Sequence, residues 1–261
     1  MDYLAPLRSA LKAKILASLL EGDKKLGELK TEVASRETTI LHAIKEFEAL
    51  NLTTKSEGTY KLTPLGIMEA QLCKEYYAAS KVMENYKDYW LSHDVKAIPE
   101  NLMLNIGALE DSTLIKADAA ELGKVHETFM QVLLSSKKIK GISPIFHQDF
   151  VIAIQKILDE GNSAELIINS TVMSKILAAA EKDQIEKHLH QGKLTLYLNE
   201  NLNLALTVTE SSFSLGLFKL DKQYDYTQDI VSLSPKAIKW GEELFQNILL
   251  QSIKLGADNL K

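Results

Sequence analysis

"EGTYKLTPLG", residues 57–66, decides how the front of this chain is read. Glu57-Gly58 is a hairpin-turn dipeptide, Thr59-Tyr60-Lys61-Leu62 alternates as a strand does, and Thr63-Pro64 opens a long helical pattern. A four-residue strand needs a partner, and Thr53–Ser56 supplies one just before the turn. In "RETTILHAIKEFEALNL" (36–52), Ile40, Ile44 and Phe47 recur at helical spacing. Ser35 is the expected cap of that helix, and Asn51 can take the left-handed conformation that ends it. Upstream, "KKLGELKTEV" (24–33) places Leu26, Leu29 and Val33 on one helical face, with only Ala34 and Ser35 before the next helix. "PLRSALKAKILASLLEG" (6–22) gives a further helix, with Leu7, Leu11, Ile15 and Leu19 inward and Gly22 at its end. Three helices with a tight turn between the last two, followed by a β-ribbon, make a winged helix-turn-helix over residues 1–66.

The chemistry lies in what the third helix leaves outside. With Ile40, Ile44 and Phe47 buried, Arg36, Thr38, Thr39, His42 and Lys45 face away. A major groove admits one helix, and side chains near its N-terminus reach base edges. Arg36 suits a guanine edge, the threonines suit phosphate or thymine methyl, and Lys55 and Lys61 on the ribbon suit phosphate. Double-stranded DNA is the expected partner.

From Pro64 a stripe of Leu65, Met68, Leu72, Tyr76, Ala79, Met83, Tyr86 and Trp90 runs along one helix face until Ser92-His93 and Pro99. Residues 67–98 are therefore expected to form a linker and dimerisation helix, and the protein a homodimer with two recognition helices on two half-sites.

Residues 99–261 change character. "STLIKA" (112–117), "IKGISPI" (139–145) and "AELIIN" (164–169) are strand-like, and each is followed by a helical run. "KLTLYLNE" (193–200), "NLALTVTE" (203–210) and "SFSLGLFKLD" (212–221) then follow closely, before a last helix from Pro235 to Leu255. Strand–helix alternation predicts an α/β domain whose sheet is parallel with an antiparallel extension, hence mixed. Such sheets bind ligands beyond the carboxyl ends of parallel strands. That points to Ser143, His147, Asn169 and Ser170, with helix capping as the competing explanation for each.

Composition excludes several classes. The 261 residues carry a net charge of −5, so no strongly basic surface is predicted, although residues 1–66 hold ten Lys/Arg against nine Asp/Glu and both arginines, Arg8 and Arg36. Cys73 is the single cysteine, which rules out an intrachain disulfide and a cysteine-cluster metal site. No glycine-rich phosphate loop, G-x-S-x-G or H-E-x-x-H occurs, so no catalytic residue and no cofactor is predicted. His188 and His190 stand two apart on a helix and diverge, so no metal is expected from them. The N-terminus has no signal-peptide pattern and no run is apolar enough to span a bilayer, so a cytoplasmic protein without a membrane partner is expected.

"YKLTPLG" is typical of archaeal winged-helix regulators. "GISPIFHQDF", "LALTVTESSFSLGLF" and "AIKWGEELF" extend the resemblance over residues 1–255, to archaeal winged helix-turn-helix transcription regulators with a methanogenesis-regulator middle domain. The resemblance implies DNA binding by the front domain and effector sensing by the rear one. The rear domain is similar to phospholipase-D-like effector domains, without the H-x-K-x4-D motif. A one-component regulator with an unknown small-molecule effector is the reading. Its rivals are an adaptor whose winged helix binds protein, and an α/β enzyme.

Overall fold

The computed structural model describes residues 8–117 and 123–256, so Leu7 lies outside the described residues. The chain divides into two compact units, 1–81 and 82–261. That division falls within the helix that follows the wing, whereas the sequence suggested boundaries at 66/67 and 98/99.

In the first unit, α1 (Ala10–Leu20), β1 (Lys24–Lys25), α2 (Leu26–Val33) and α3 (Glu37–Ala49) precede β2 (Thr53–Ser56) and β3 (Thr59–Leu62). Ile15, Leu16, Leu19, Leu29, Val33, Ile40, Ile44, Phe47, Leu52 and Tyr60 bury into one core. The β2–β3 register pairs Lys55 with Tyr60 and Ser56 with Thr59. Glu57 and Gly58 turn between them with φ of 50° and 80°, the backbone of a type I′ hairpin. Strand β1 adds a third member to the sheet by pairing Lys24 with Tyr60. Two residues are too few to announce a strand, and it was not expected.

The α2–α3 turn differs from its sequence reading. Ser35 is not the cap. Arg36 holds the N-cap position with no side-chain cap bond, and Ala34 takes the left-handed conformation at φ 51°. The connection is thus three residues long.

Helix α4 (Pro64–Asn85) starts on a built corner. Thr63 Oγ1 donates to the Asn51 carbonyl at 2.6 Å and accepts from Gly66 N at 3.0 Å. Gly66 packs so closely on β2's approach that an added Cβ would lie 1.8 Å from the Leu52 carbonyl oxygen. One face of α4 sends Ala70 and Cys73 into the first core. The opposite side exposes Leu65, Met68, Leu72, Tyr76 and Met83.

The helix does not continue to Trp90. It stops at Asn85, and α5 (Lys87–Ser92) follows a break at Tyr86. Two tyrosines beside the break are buried. The Tyr86 hydroxyl donates to the Ser112 carbonyl, and Tyr89 is engulfed, its oxygen accepting from Leu217 N at 3.1 Å.

In the second unit α6 (Glu100–Leu104) precedes β4 (Thr113–Lys116), α7 (Lys124–Leu134), β5 (Lys138–Ser143), α8 (Gln148–Asp159) and β6 (Ser163–Ile168). Helices α9 (Ser170–Ala179) and α10 (Lys182–His190) come next, then β7 (Leu194–Leu198), β8 (Leu204–Thr209), β9 (Phe213–Leu217), β10 (Gln228–Ser232), α11 (Pro235–Leu249) and β11 (Ile253–Leu255). One eight-stranded mixed sheet runs β11-β7-β6-β5-β8-β9-β10-β4. Only β5-β6-β7 are parallel. "STLIKA" forms β4, but at the far edge and antiparallel to β10 rather than in the parallel block. The long helical run after β6 is two helices, parted at Ala180-Glu181. The last helix ends at Leu249, and its expected tail returns as β11 beside β7. Helix α11 covers one face of the sheet, with Trp240 edge-on to Phe213 and its indole N–H donating to the Leu102 carbonyl at 3.0 Å. Helices α7 to α10 cover the other.

Candidate ligand cavity and nucleic-acid face

Cross-strand partners share a sheet face. Phe213 packs toward α11, so its β9 neighbours Ser214 and Gly216 face the other way, with their partners Thr207 and Ala205 on β8. Gly141 on β5 pairs with Thr207, and Val231 on β10 with Ser214, which brings Asp229 to the same face. The centre of this face is thus floored by Gly141, Ala205, Thr207, Ser214 and Gly216. These side chains are small, and a cavity of about 350 Å³ lies over them beneath α7, α8, α9 and α10. Its lining runs over six adjacent strands, from Leu194 and Leu196 on β7 to Asp229 on β10. At about 4.8 Å per strand that is roughly 24 Å across, so the cavity is a narrow trough rather than a sphere. Phe129, Phe146, Phe150, Ile154, Leu166 and Ile176 make its walls apolar.

Polar groups sit at defined places in that wall. Asp229 is buried, and burial, together with the Asp225 charge, pushes its carboxyl up to about 7 against an opposing hydrogen bond from Ser214. Ser214 Oγ donates to its Oδ2 at 3.3 Å, while Oδ1 has no partner. The Tyr224 hydroxyl converges on the same spot: a Cβ on Gly216 would stand 2.2 Å from it and 2.6 Å from Asp229 Oδ1. Burial and Asp229 hold the Tyr224 hydroxyl well above 10. Toward the other end, His188 bonds Asp159 Oδ1 through Nε2 at 3.1 Å, and its buried Nδ1 has no partner. His190 points elsewhere, bonding its own helix at the Glu186 carbonyl. The two histidines diverge, as their spacing predicts.

Of the four ligand candidates, Ser143 and His147 line the trough and Asn169 and Ser170 do not. Asn169 caps α9, accepting from Val172 N at 2.8 Å and donating to the Pro144 carbonyl at 3.2 Å. Ser170 is tied to Glu200. Ser143 Oγ donates to the Ile145 carbonyl at 2.7 Å. Sequence reading missed Asp229 and Tyr224, because nothing local distinguishes them from surface residues, and it weighed His188 only as a metal ligand paired with His190. It also missed a cluster on the wall. His126 from α7 places Nε2 3.0 Å from Asp149 Oδ2, and His147 Nδ1 lies 3.7 Å from the same oxygen. No metal was expected from the sequence, yet these three side chains offer ligand atoms within 4.8 Å of one another.

The seven DNA candidates are each exposed. Arg36 stands at the start of α3; Thr38, Thr39, His42 and Lys45 follow on its outer side; Lys55 and Lys61 stand on the wing, and all seven are exposed. Two of the neighbouring carboxylates are engaged. Glu37 pairs with Lys30 at 3.0 Å, and Glu46 pairs with Lys12 and with His42 Nδ1 at 2.9 Å. Lys55 lies over the Tyr60 ring at 5.0 Å. No helix of the described residues is long and apolar enough to cross a membrane.

Two family models match in succession: the N-terminal domain of the methanogenesis regulatory protein FilR1 over residues 5–78, and its middle domain over 122–251. The FilR1 of Methanothrix harundinacea is 30% identical over 257 residues, 97% of this chain. The chain spans 57% of that curated relative's length. Among solved structures, TrmBL2, an archaeal chromatin protein, is similar over 95% of this chain and 94% of its own, at 12% identity and a TM-score of 0.45. The phospholipase D family member Nuc from Salmonella typhimurium is similar over 56% of this chain and 99% of its own, at 15% identity and a TM-score of 0.43.

Proposed function

The chain belongs to the family of the methanogenesis regulatory protein FilR1, and from that premise we propose that it is a DNA-binding transcription regulator whose rear domain answers to a small molecule. The observation that carries this reading is the exposed set on α3 and the wing. Arg36, Thr38, Thr39, His42, Lys45, Lys55 and Lys61 are all exposed, while the apolar residues Ile40, Ile44 and Phe47 of the same helix are buried. A recognition helix needs that division, because base edges and phosphates are reached only by side chains the core does not use. In this reading the apolar side of α4, Leu65 to Met83, pairs with a second copy and sets two recognition helices on two half-sites. The trough takes an elongated, mainly apolar effector, with Asp229 and Tyr224 fixing a polar end. The chain then acts as a regulator and not as an enzyme.

The test sets Arg36 against Lys61. Arg36→Ala and Lys61→Ala would be titrated with a selected cognate duplex and a scrambled one at several salt concentrations. Loss of a base contact costs about 1–3 kcal/mol on the cognate site and flattens preference at one position. Loss of a phosphate contact weakens both duplexes alike and lowers the salt slope by about one. If neither substitution changes binding, this face does not read DNA and the adaptor reading replaces it.

A further inference from the structure

We infer that His126, His147 and Asp149 form a binding site for a divalent d-block cation in the wall of the trough. The inference rests on the geometry of three side chains and stands apart from the DNA-binding reading. His126 comes from the first turn of α7, His147 caps α8, and Asp149 lies in the first turn of α8. Sequence separation hides the cluster, and the packing of α7 on α8 assembles it. The rings are held in place: His126 stacks on Phe150 at 5.5 Å, and the two imidazoles approach to 4.4 Å between centroids.

Distances decide between a hydrogen-bonded pair and a metal cradle. Donors at about 2.0–2.1 Å from a tetrahedral ion stand roughly 3.3 Å apart. Asp149 Oδ2 is 3.0 Å from His126 Nε2 and 3.7 Å from His147 Nδ1, which brackets that spacing. The three ligand atoms all lie within 4.8 Å of one another, so one ion is held among them once the two rings rotate toward each other. It takes the place of the proton between His126 and Asp149, which His126 carries on Nδ1 instead. It also replaces the long 3.3 Å capping contact from Asp149 N to His147 Nδ1. Two imidazoles and one carboxylate select zinc and its neighbours over calcium or magnesium, which prefer oxygen sets. Three protein ligands leave a further coordination position. Because His126 and His147 both line the trough, the ion would add a Lewis-acidic contact to an otherwise apolar chamber.

The test uses the full chain, stripped with a chelator and dialysed against Zn²⁺, with Co²⁺ as a spectroscopic probe. One equivalent should bind and give Co²⁺ ligand-field absorption. His126→Ala and Asp149→Asn should each weaken binding at least about tenfold. His190→Ala, on an exposed histidine of α10 outside the cluster, should leave binding unchanged. Circular dichroism confirms that each variant is folded, and Asp149→Asn is the variant that leaves both helices' packing intact. Absence of saturable binding up to millimolar metal overturns the assignment. So does a single equivalent that survives both His126→Ala and Asp149→Asn.

Discussion

Asp229→Asn should change the way stability depends on pH. The carboxyl lies under the sheet's covered face, with one oxygen unpartnered and the other held by Ser214 at 3.3 Å. Burial raises it to about 7, against 3.8 for an ordinary aspartate. The folded chain therefore holds a proton that the unfolded chain has released, throughout the window from 3.8 to about 7. Where the native state binds more protons, stability falls as pH rises. Each pKa unit is worth about 1.4 kcal/mol. Between about pH 5 and pH 8 the native protein should lose about 3 kcal/mol from this group alone. Asparagine cannot ionise, so the variant should lack that loss and be the more stable of the two at pH 8. Urea unfolding of both proteins across the window reads the difference directly, with other titrating groups common to both. Parallel stability curves would show that Asp229 ionises as a surface carboxylate does, and the account of the trough's polar end would fall.

Gly66→Ala should destabilise the first unit by more than about 3 kcal/mol in chemical unfolding, since its Cβ meets the Leu52 backbone, which cannot swing aside. Burial pushes the Cys73 thiol up to about 12, so it should ignore a disulfide reagent at neutral pH and react at once after denaturation. If two copies pair through α4 as proposed, Met68→Glu with Leu72→Glu should leave monomers in sedimentation without loss of helix content, because both residues stand 64% exposed in the single chain.

The winged helix was legible because its signals are local. Helical spacing, the Glu57-Gly58 turn and Thr63-Pro64 each act within a few residues, and the wing strands fall at Thr53–Ser56 and Thr59–Leu62 as read. Elements that depend on distant partners were not legible. Strand β11 was read as helix because Ile253 and Leu255 continue an apolar pattern; only its pairing with β7 makes it a strand. Strand β10, with Asp229 amid its residues, carried no marker of a sheet interior. The break at Tyr86 carries no glycine or proline, so nothing local announces it. The site fared likewise. Ser143 and His147, picked from strand ends, line the cavity, whereas Asn169 and Ser170, picked the same way, do not. His126 escaped, since its spacing to His147 says nothing until α7 and α8 are packed together.

The floor of the trough has a consequence for how such a chamber changes over generations. Its capacity is written in five strand positions, Gly141, Ala205, Thr207, Ser214 and Gly216, whose opposite-facing neighbours hold the sheet to α11. Alternation separates the two tasks. If the trough takes the proposed effector, one lineage can enlarge a floor residue and shorten the compounds accepted, while the face that keeps the domain folded goes untouched. On that reading a family can keep one scaffold and diversify its effectors by single codon changes. Relatives should therefore differ most informatively at these five positions, and grafting them between members should carry ligand preference along.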